Sequence, residues 1–244
     1  MSTTISHLRS LPIRVLRVCV ALLGADAAEM IEKAEALVRE NSFFEFRLDY
    51  LPDPVAALPK IRRFLEMHPE AVCIATCRRV PNGGKFRGSP SAQIAVLTKA
   101  AATGFQFVDV EIETAQAIKL AEYEKLRAVA GIVLSFHDFQ GTPPPGELRE
   151  IVERMIRHGA DVAKIVTFAR SWEDNLKILS LSPYAQKRGQ AIVTFCMGEK
   201  GKMSRIFSPL MGAAWTYASL SRTRASAPGQ LTVAEMREIW ERLP

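Results

Sequence analysis

Several features that would assign a function directly are missing from this chain of 244 residues. No apolar run approaches the ~18 residues that a membrane-spanning helix needs. The opening stretch MSTTISHLRSLPIRVLRV has basic residues but no continuous apolar segment ending in a small-residue cleavage site, so it is not read as a secretion signal. Cysteine is scarce: Cys19, Cys73, Cys77 and Cys196 make no CxxC pair, and no histidine cluster accompanies them. Buried reduced thiols are therefore expected, rather than disulfides or zinc ligands, which points to the cytoplasm. Glycine-rich phosphate loops are absent too. The first strand-like run ends LLGAD, with a single glycine, and neither GxGxxG nor GxxxxGK[ST] occurs, so no nucleotide cofactor is indicated. The net charge of +6 is dispersed along the chain. A nucleic-acid surface needs a concentrated basic stripe, usually with interleaved aromatics. A mild positive balance suits an enzyme that attracts a small anion.

What the sequence does have is a regular alternation. Strand-like runs at 17–24, 43–51, 71–77, 105–113, 131–139, 161–170, 190–197 and 215–221 are interleaved with helical stretches. The helices are expected at 26–40, within 53–67, at 90–103, 114–128, 144–158 and 171–182, then a short one after 197 and a last one at 232–240. Such a series of β–α units predicts an α/β protein with a (β/α)8 TIM-barrel fold rather than a doubly wound sheet. With no linker, repeat or low-complexity segment, residues 1–244 are read as a single domain, and 1–16 as a short N-terminal extension.

Chemistry enters where charges interrupt these apolar runs. DVAKIVTFAR carries Lys164 near the middle of a strand expected to be buried on both faces. Taking that charge out of water is costly, so the side chain must reach solvent, find a carboxylate or lose its proton. A lysine that loses its proton by burial is the nucleophile that forms Schiff bases with ketones and aldehydes. The plainer reading is a lysine snorkelling into water from a strand end. In FFEFRLDYL, alternation puts Glu45, Arg47 and Asp49 on one face, with Glu45 and Arg47 as possible partners for each other. Asp109, Glu111 and Glu113 repeat the pattern in the fourth strand and read as charges satisfied at the strand mouth. His137 ends the fifth strand, where a neutral imidazole can accept a proton. Arg78 and Arg205 follow strands three and seven, positions from which an arginine can clamp a carboxylate or make a plain surface ion pair. RASAPGQL, after strand eight, has the composition of a closing lid or of an ordinary loop.

Taken together and in order, FEFRLD, SFHDF, ADVAKI, MGEKGKMSR and ASAPGQ resemble the type I 3-dehydroquinate dehydratases, and the resemblance runs from residue 17 to the end of the chain. The resemblance implies a Schiff base on Lys164 and a general acid/base at His137. It implies that Glu45, Arg47 and Arg78 hold ring hydroxyls, that Arg205 grips the substrate carboxylate and that Met197 is an apolar wall. Ser226 and Gln230 match lid residues. The implied substrate is 3-dehydroquinate and the product 3-dehydroshikimate, in the shikimate route to aromatic amino acids. No metal, cofactor, nucleic acid or membrane is implied, and the chain is expected to act as a homodimer. Two positions depart from the family pattern. Asn82 stands where the family has a glutamate that orients the histidine, and Ala21 stands where serine or proline is usual. Two other readings remain: a Schiff-base aldolase acting on another keto acid, and a barrel of the same family that only binds.

Overall fold

The computed structural model describes residues 18–221 and 229–243. Its eight strands are β1 (Val18–Leu22), β2 (Phe43–Arg47), β3 (Val72–Thr76), β4 (Phe107–Glu111), β5 (Gly131–His137), β6 (Val162–Phe168), β7 (Ala191–Met197) and β8 (Thr216–Ala218). They form one sheet in the order β7-β6-β5-β4-β3-β2-β1-β8, in which consecutive strands are neighbours. The β1–β8, β2–β3, β3–β4 and β6–β7 pairings are all parallel. Parallel neighbours joined through helices make this the (β/α)8 barrel class expected from the alternation. The strands VCVAL, FFEFR, VCIAT and FVDVE are buried at every position, as strands covered on both faces must be.

Among the described residues, Ala21–Val133 form one compact unit, and residues 18–20 with those from 134 onward form the other. In the first unit the helix starts are written in the sequence. Asp53 accepts from the Val55 and Ala56 amides ahead of helix α2 (Pro54–Met67), with Pro54 in the first turn. Ser89 accepts from Ala92 ahead of α3 (Pro90–Thr103). Such caps satisfy amides that the helix itself leaves open, and proline at the first helical position has no amide to waste. Helix α1 (Ala27–Glu35) stops short of the expected end at 40, and residues 36–40 continue as turns.

Several expected elements are shorter or split. The second strand stops at Arg47, and Leu48–Tyr50 turn as one 3-10 helix. The fourth stops at Glu111, so Glu113 lies in a helix. That helix is two, α4 (Ile112–Ala117) and α5 (Leu120–Arg127), separated by extended backbone at Ile118 and Lys119. In the second unit the stretch expected as one helix at 171–182 is also two, α7 (Glu173–Leu179) and α8 (Leu181–Gln186). Pro183 explains that break, because it has no N–H to continue the ladder. Helix α6 (Pro145–Arg157) lies on the β5–β6 connection, and α9 (Lys202–Leu210) follows β7. The closing helix α10 (Val233–Glu241) begins on a reciprocal capping box between Thr232 and Glu235. No helix among the described residues is long and apolar enough to cross a membrane.

Candidate active site

In the second unit, Lys164 sits mid-strand in β6 and is only 4% exposed, so the snorkelling reading fails. Its Nζ donates to the Tyr217 hydroxyl at 3.1 Å and lies 4.3 Å from the centroid of the same ring. Tyr217 is the middle residue of β8, in register with Cys19 of β1. Its ring also packs on Phe195 of β7, with centroids 5.9 Å apart.

Strand register says what shares a face with Lys164. Lys164 pairs with Val193, Val166 with Phe195, and Phe168 with Met197. Directly paired residues point the same way, so Val193, Phe195 and Met197 line the face of Lys164. On the β5 side, the Asp138 amide donates to the Val166 carbonyl at 2.9 Å. In a parallel ladder that bond sets Asp138 opposite Thr167, hence His137 opposite Val166 and Ser135 opposite Lys164. His137 and Lys164 therefore project to the same side from adjacent strands, with Cα atoms about 8 Å apart from strand spacing and rise. The imidazole is half-buried and lies nearly parallel to Phe139, centroids 6.1 Å apart.

Arg205, on α9, is 1% exposed, and its guanidinium lies 4.2 Å over the Phe195 ring. Among the described residues neither Nε nor Nη2 has a hydrogen-bond partner. Burial lowers its pKa to about 10, so it is still a cation at neutral pH. A buried cation whose donors are unspent is suited to an incoming anion, and the planar fork suits a carboxylate. Its expected alternative, a surface ion pair, does not hold.

Met197 closes β7 and is buried. Beyond it, Gly229 packs so tightly that an added Cβ would lie 2.1 Å from the Gly198 carbonyl oxygen, and its φ is +74°. That contact anchors Gln230, which is 9% exposed, next to the end of β7. Ser226, and most of the expected lid, lie outside the described residues.

The first unit holds a separate buried cluster of charge. Arg47 does not turn to Glu45 as its main partner. It forks onto Asp49, through Nε to Oδ1 and Nη2 to Oδ2, each at 2.8 Å. The 3-10 turn after β2 makes this possible by folding Asp49 back, where it also accepts from the Lys85 amide at 3.1 Å. Glu45 accepts from the Thr76 hydroxyl at 2.7 Å. Arg78 bridges Asp109 at 2.8 Å and Glu111 at 3.0 Å, and neither carboxylate is exposed at all. Burial alone would lower the Arg78 pKa, but Asp109 and Glu111 outweigh it and hold it above the ordinary value. Gln93, Thr114 and the Arg79 amide also donate to Glu111. Asp109 and Glu111 are thus satisfied by Arg78 towards the end of β4, as expected, and are fully buried there. Glu113 is exposed and accepts instead from Asn82 Nδ2 at 3.2 Å. Ala21 is buried in β1.

All four cysteines are buried and in no disulfide. Burial raises the pKa of Cys73, Cys77 and Cys196, which keeps those thiols protonated and inert. Tyr217 is the site-facing group that sequence reasoning missed; alternation places Asp49 on one face with Glu45 and Arg47, but not as the partner of Arg47. The parity of Tyr217 against Cys19 was available, but a tyrosine in a strand is ordinary and drew no notice.

The chain is similar to known proteins along most of its length. A model of the type I 3-dehydroquinase family matches residues 18–243. A 3-dehydroquinate dehydratase of Dehalococcoides mccartyi is 37% identical over 225 residues, covering 91% of this chain and 94% of its own length. Among solved structures, the 3-dehydroquinate dehydratase of Geobacillus kaustophilus superposes with a TM-score of 0.81 at 23% identity, over 93% of this chain and 91% of that one. That of Aquifex aeolicus does so with a TM-score of 0.74 at 26% identity, over 93% and 99%. With a match along nearly its whole described length, the chain belongs to the type I 3-dehydroquinase family.

Proposed function

We propose that this protein dehydrates 3-dehydroquinate to 3-dehydroshikimate, with Lys164 carrying the substrate as a Schiff base. The observation that carries the mechanism is the buried Lys164 amine on a strand face shared with His137. Family membership supports the substrate, since its relatives are named for that reaction.

A proton next to a ketone is too weakly acidic for imidazole to remove quickly. Addition of the Lys164 amine to the ketone carbon, with one proton taken from solvent and the carbonyl oxygen lost as water, gives a protonated imine. That imine is an electron sink. His137 then takes the α-proton, and the electron pair is stored as an enamine. The β-hydroxyl leaves as water with a proton returned by His137. A second water hydrolyses the conjugated imine, releasing the enone and restoring the Lys164 amine. One water is consumed and two are released, so the net change is one dehydration. General acid–base help of this kind is worth ~10²–10⁴-fold, and preorganised charge supplies more.

Arg205 has the chemistry to hold the substrate carboxylate, being a buried cation with unspent donors. Glu45, Arg47 and Arg78 are assigned to the ring hydroxyls, Met197 to an apolar wall, and Ser226 and Gln230 to the lid, each by its match to the family motif. On the same reading the enzyme is a cytoplasmic homodimer in the route to aromatic amino acids. Light scattering at the 27.1 kDa of one chain would contradict the dimer.

The test is ultraviolet absorbance of the conjugated enone formed from 3-dehydroquinate with the purified protein. Steady formation of the enone is expected. A flat trace at micromolar enzyme would refute the assignment.

A further inference from the structure

We propose that the Tyr217 hydroxyl is a working partner of the reacting nitrogen: it orients the Lys164 amine in the free enzyme and keeps its hydrogen bond when that nitrogen becomes the protonated imine. This rests on the Schiff-base reading of Lys164.

Two contacts converge on one atom. Nζ donates to the Tyr217 hydroxyl at 3.1 Å, and it lies 4.3 Å from the ring centroid. The phenol is placed by structure rather than by chance. Its strand is locked to β1 through the pairs of Val18, Cys19 and Val20, and the ring rests on Phe195. Tyr217 is 4% exposed, and a phenylalanine would fill the same space and keep the same ring contact. The hydroxyl is not needed to fill that space, and the amine donates to it.

The chemistry gives the hydroxyl a task. Amine, ketone and one proton taken from solvent combine to give water and a protonated imine, whose nitrogen keeps a single N–H. With Oη already on the nitrogen, that N–H has a fixed acceptor, so the plane of the imine is set before the α-proton is taken. The electron-rich ring face next to the nitrogen favours its positive charge, and desolvation strengthens that attraction. Both effects act on the imine state and neither acts on the substrate's carboxylate or hydroxyls. The consequence should be a change in turnover rather than in substrate affinity.

Tyr217→Phe separates the hydroxyl from the ring. Hydrogen bonds to charged groups are among the stronger ones, so kcat should fall about tenfold to hundredfold with KM within about threefold. Rates are normalised to the amount of Lys164 that borohydride traps at saturating 3-dehydroquinate, so partly unfolded protein cannot imitate the loss. Tyr217→Leu, which also removes the ring face, should lose more. A Tyr217→Phe variant that traps fully and turns over at the parental kcat would overturn the proposal. If the parent protein itself traps nothing on Lys164, the Schiff-base reading fails instead, and the two failures are told apart by that parental control.

Discussion

Replacing Arg205 with methionine should make the protein more stable and bind its substrate worse. The guanidinium is 1% exposed and, among the described residues, two of its nitrogens lack partners. Its pKa falls from the ordinary guanidinium range to about 10, chiefly through burial. A fall of that size means the folded protein penalises the charged form by about 3 kcal/mol. Methionine retains much of the apolar stem but loses the contact with Phe195, worth about 1–2 kcal/mol when desolvated. The net gain is about 1–2 kcal/mol, or a Tm higher by about 2–8 °C for a chain of this size. The sign can be checked with pH. Below pH 10 both folded and unfolded chains carry the charge, so the penalty is complete and the stability gap between variant and parent is flat. Above pH 10 the folded parent sheds its proton, and the gap narrows. Binding should move the opposite way. Losing one partner of a buried charge pair costs about 2–5 kcal/mol, so Kd for a non-reacting carboxylate analogue should rise at least about thirtyfold. Calorimetric melting and titration calorimetry read the two effects separately. A variant that melts lower and binds the analogue unchanged would show Arg205 to be structural, and the carboxylate assignment would fall.

Other substitutions follow from the same geometry. His137→Ala should still allow borohydride to trap substrate while enone formation drops at least about a hundredfold; turnover near the parental rate would remove the histidine from the mechanism. Arg78→Met leaves Asp109 and Glu111 buried without their shared cation, a loss of about 3–5 kcal/mol, so Tm should fall by about 6–20 °C. An unchanged melt would mean that the fold does not depend on this ion-pair cluster. Gly229→Ala would drive a Cβ into the Gly198 carbonyl at a positive φ, displacing Gln230, and should raise KM at least several-fold; an unaffected KM would dissociate Gln230 from substrate binding.

The order of strands and helices was legible because each strand is a short, largely buried apolar run and several helices begin on a side-chain cap or a proline. Lys164 stood out as a charge inside such a run, His137 as a polar residue at a strand end, and Arg205 as an arginine in the segment after strand seven, which the structure shows to be helical. What could not be read were partners distant in sequence. Asp109 and Glu111 lie about thirty residues beyond Arg78, and no local pattern says that they meet in the interior. The turn that ends β2 depends on Asp49 finding both Arg47 and the Lys85 amide, a tertiary event that overrides the alternating pattern of FFEFRLDYL. The break at Ile118 and Lys119 has no glycine or proline to announce it. Tyr217 was invisible for a different reason: only the curl of β8 toward β6 and β7 turns an ordinary strand tyrosine into the amine's neighbour.

The most direct test of the central claim is borohydride reduction in the presence of 3-dehydroquinate, followed by intact-mass and peptide analysis. A reduced adduct confined to the peptide carrying Lys164, absent without substrate and accompanied by irreversible loss of activity, is the predicted result. Rapid enone formation with no adduct, or an adduct on another lysine, would contradict it.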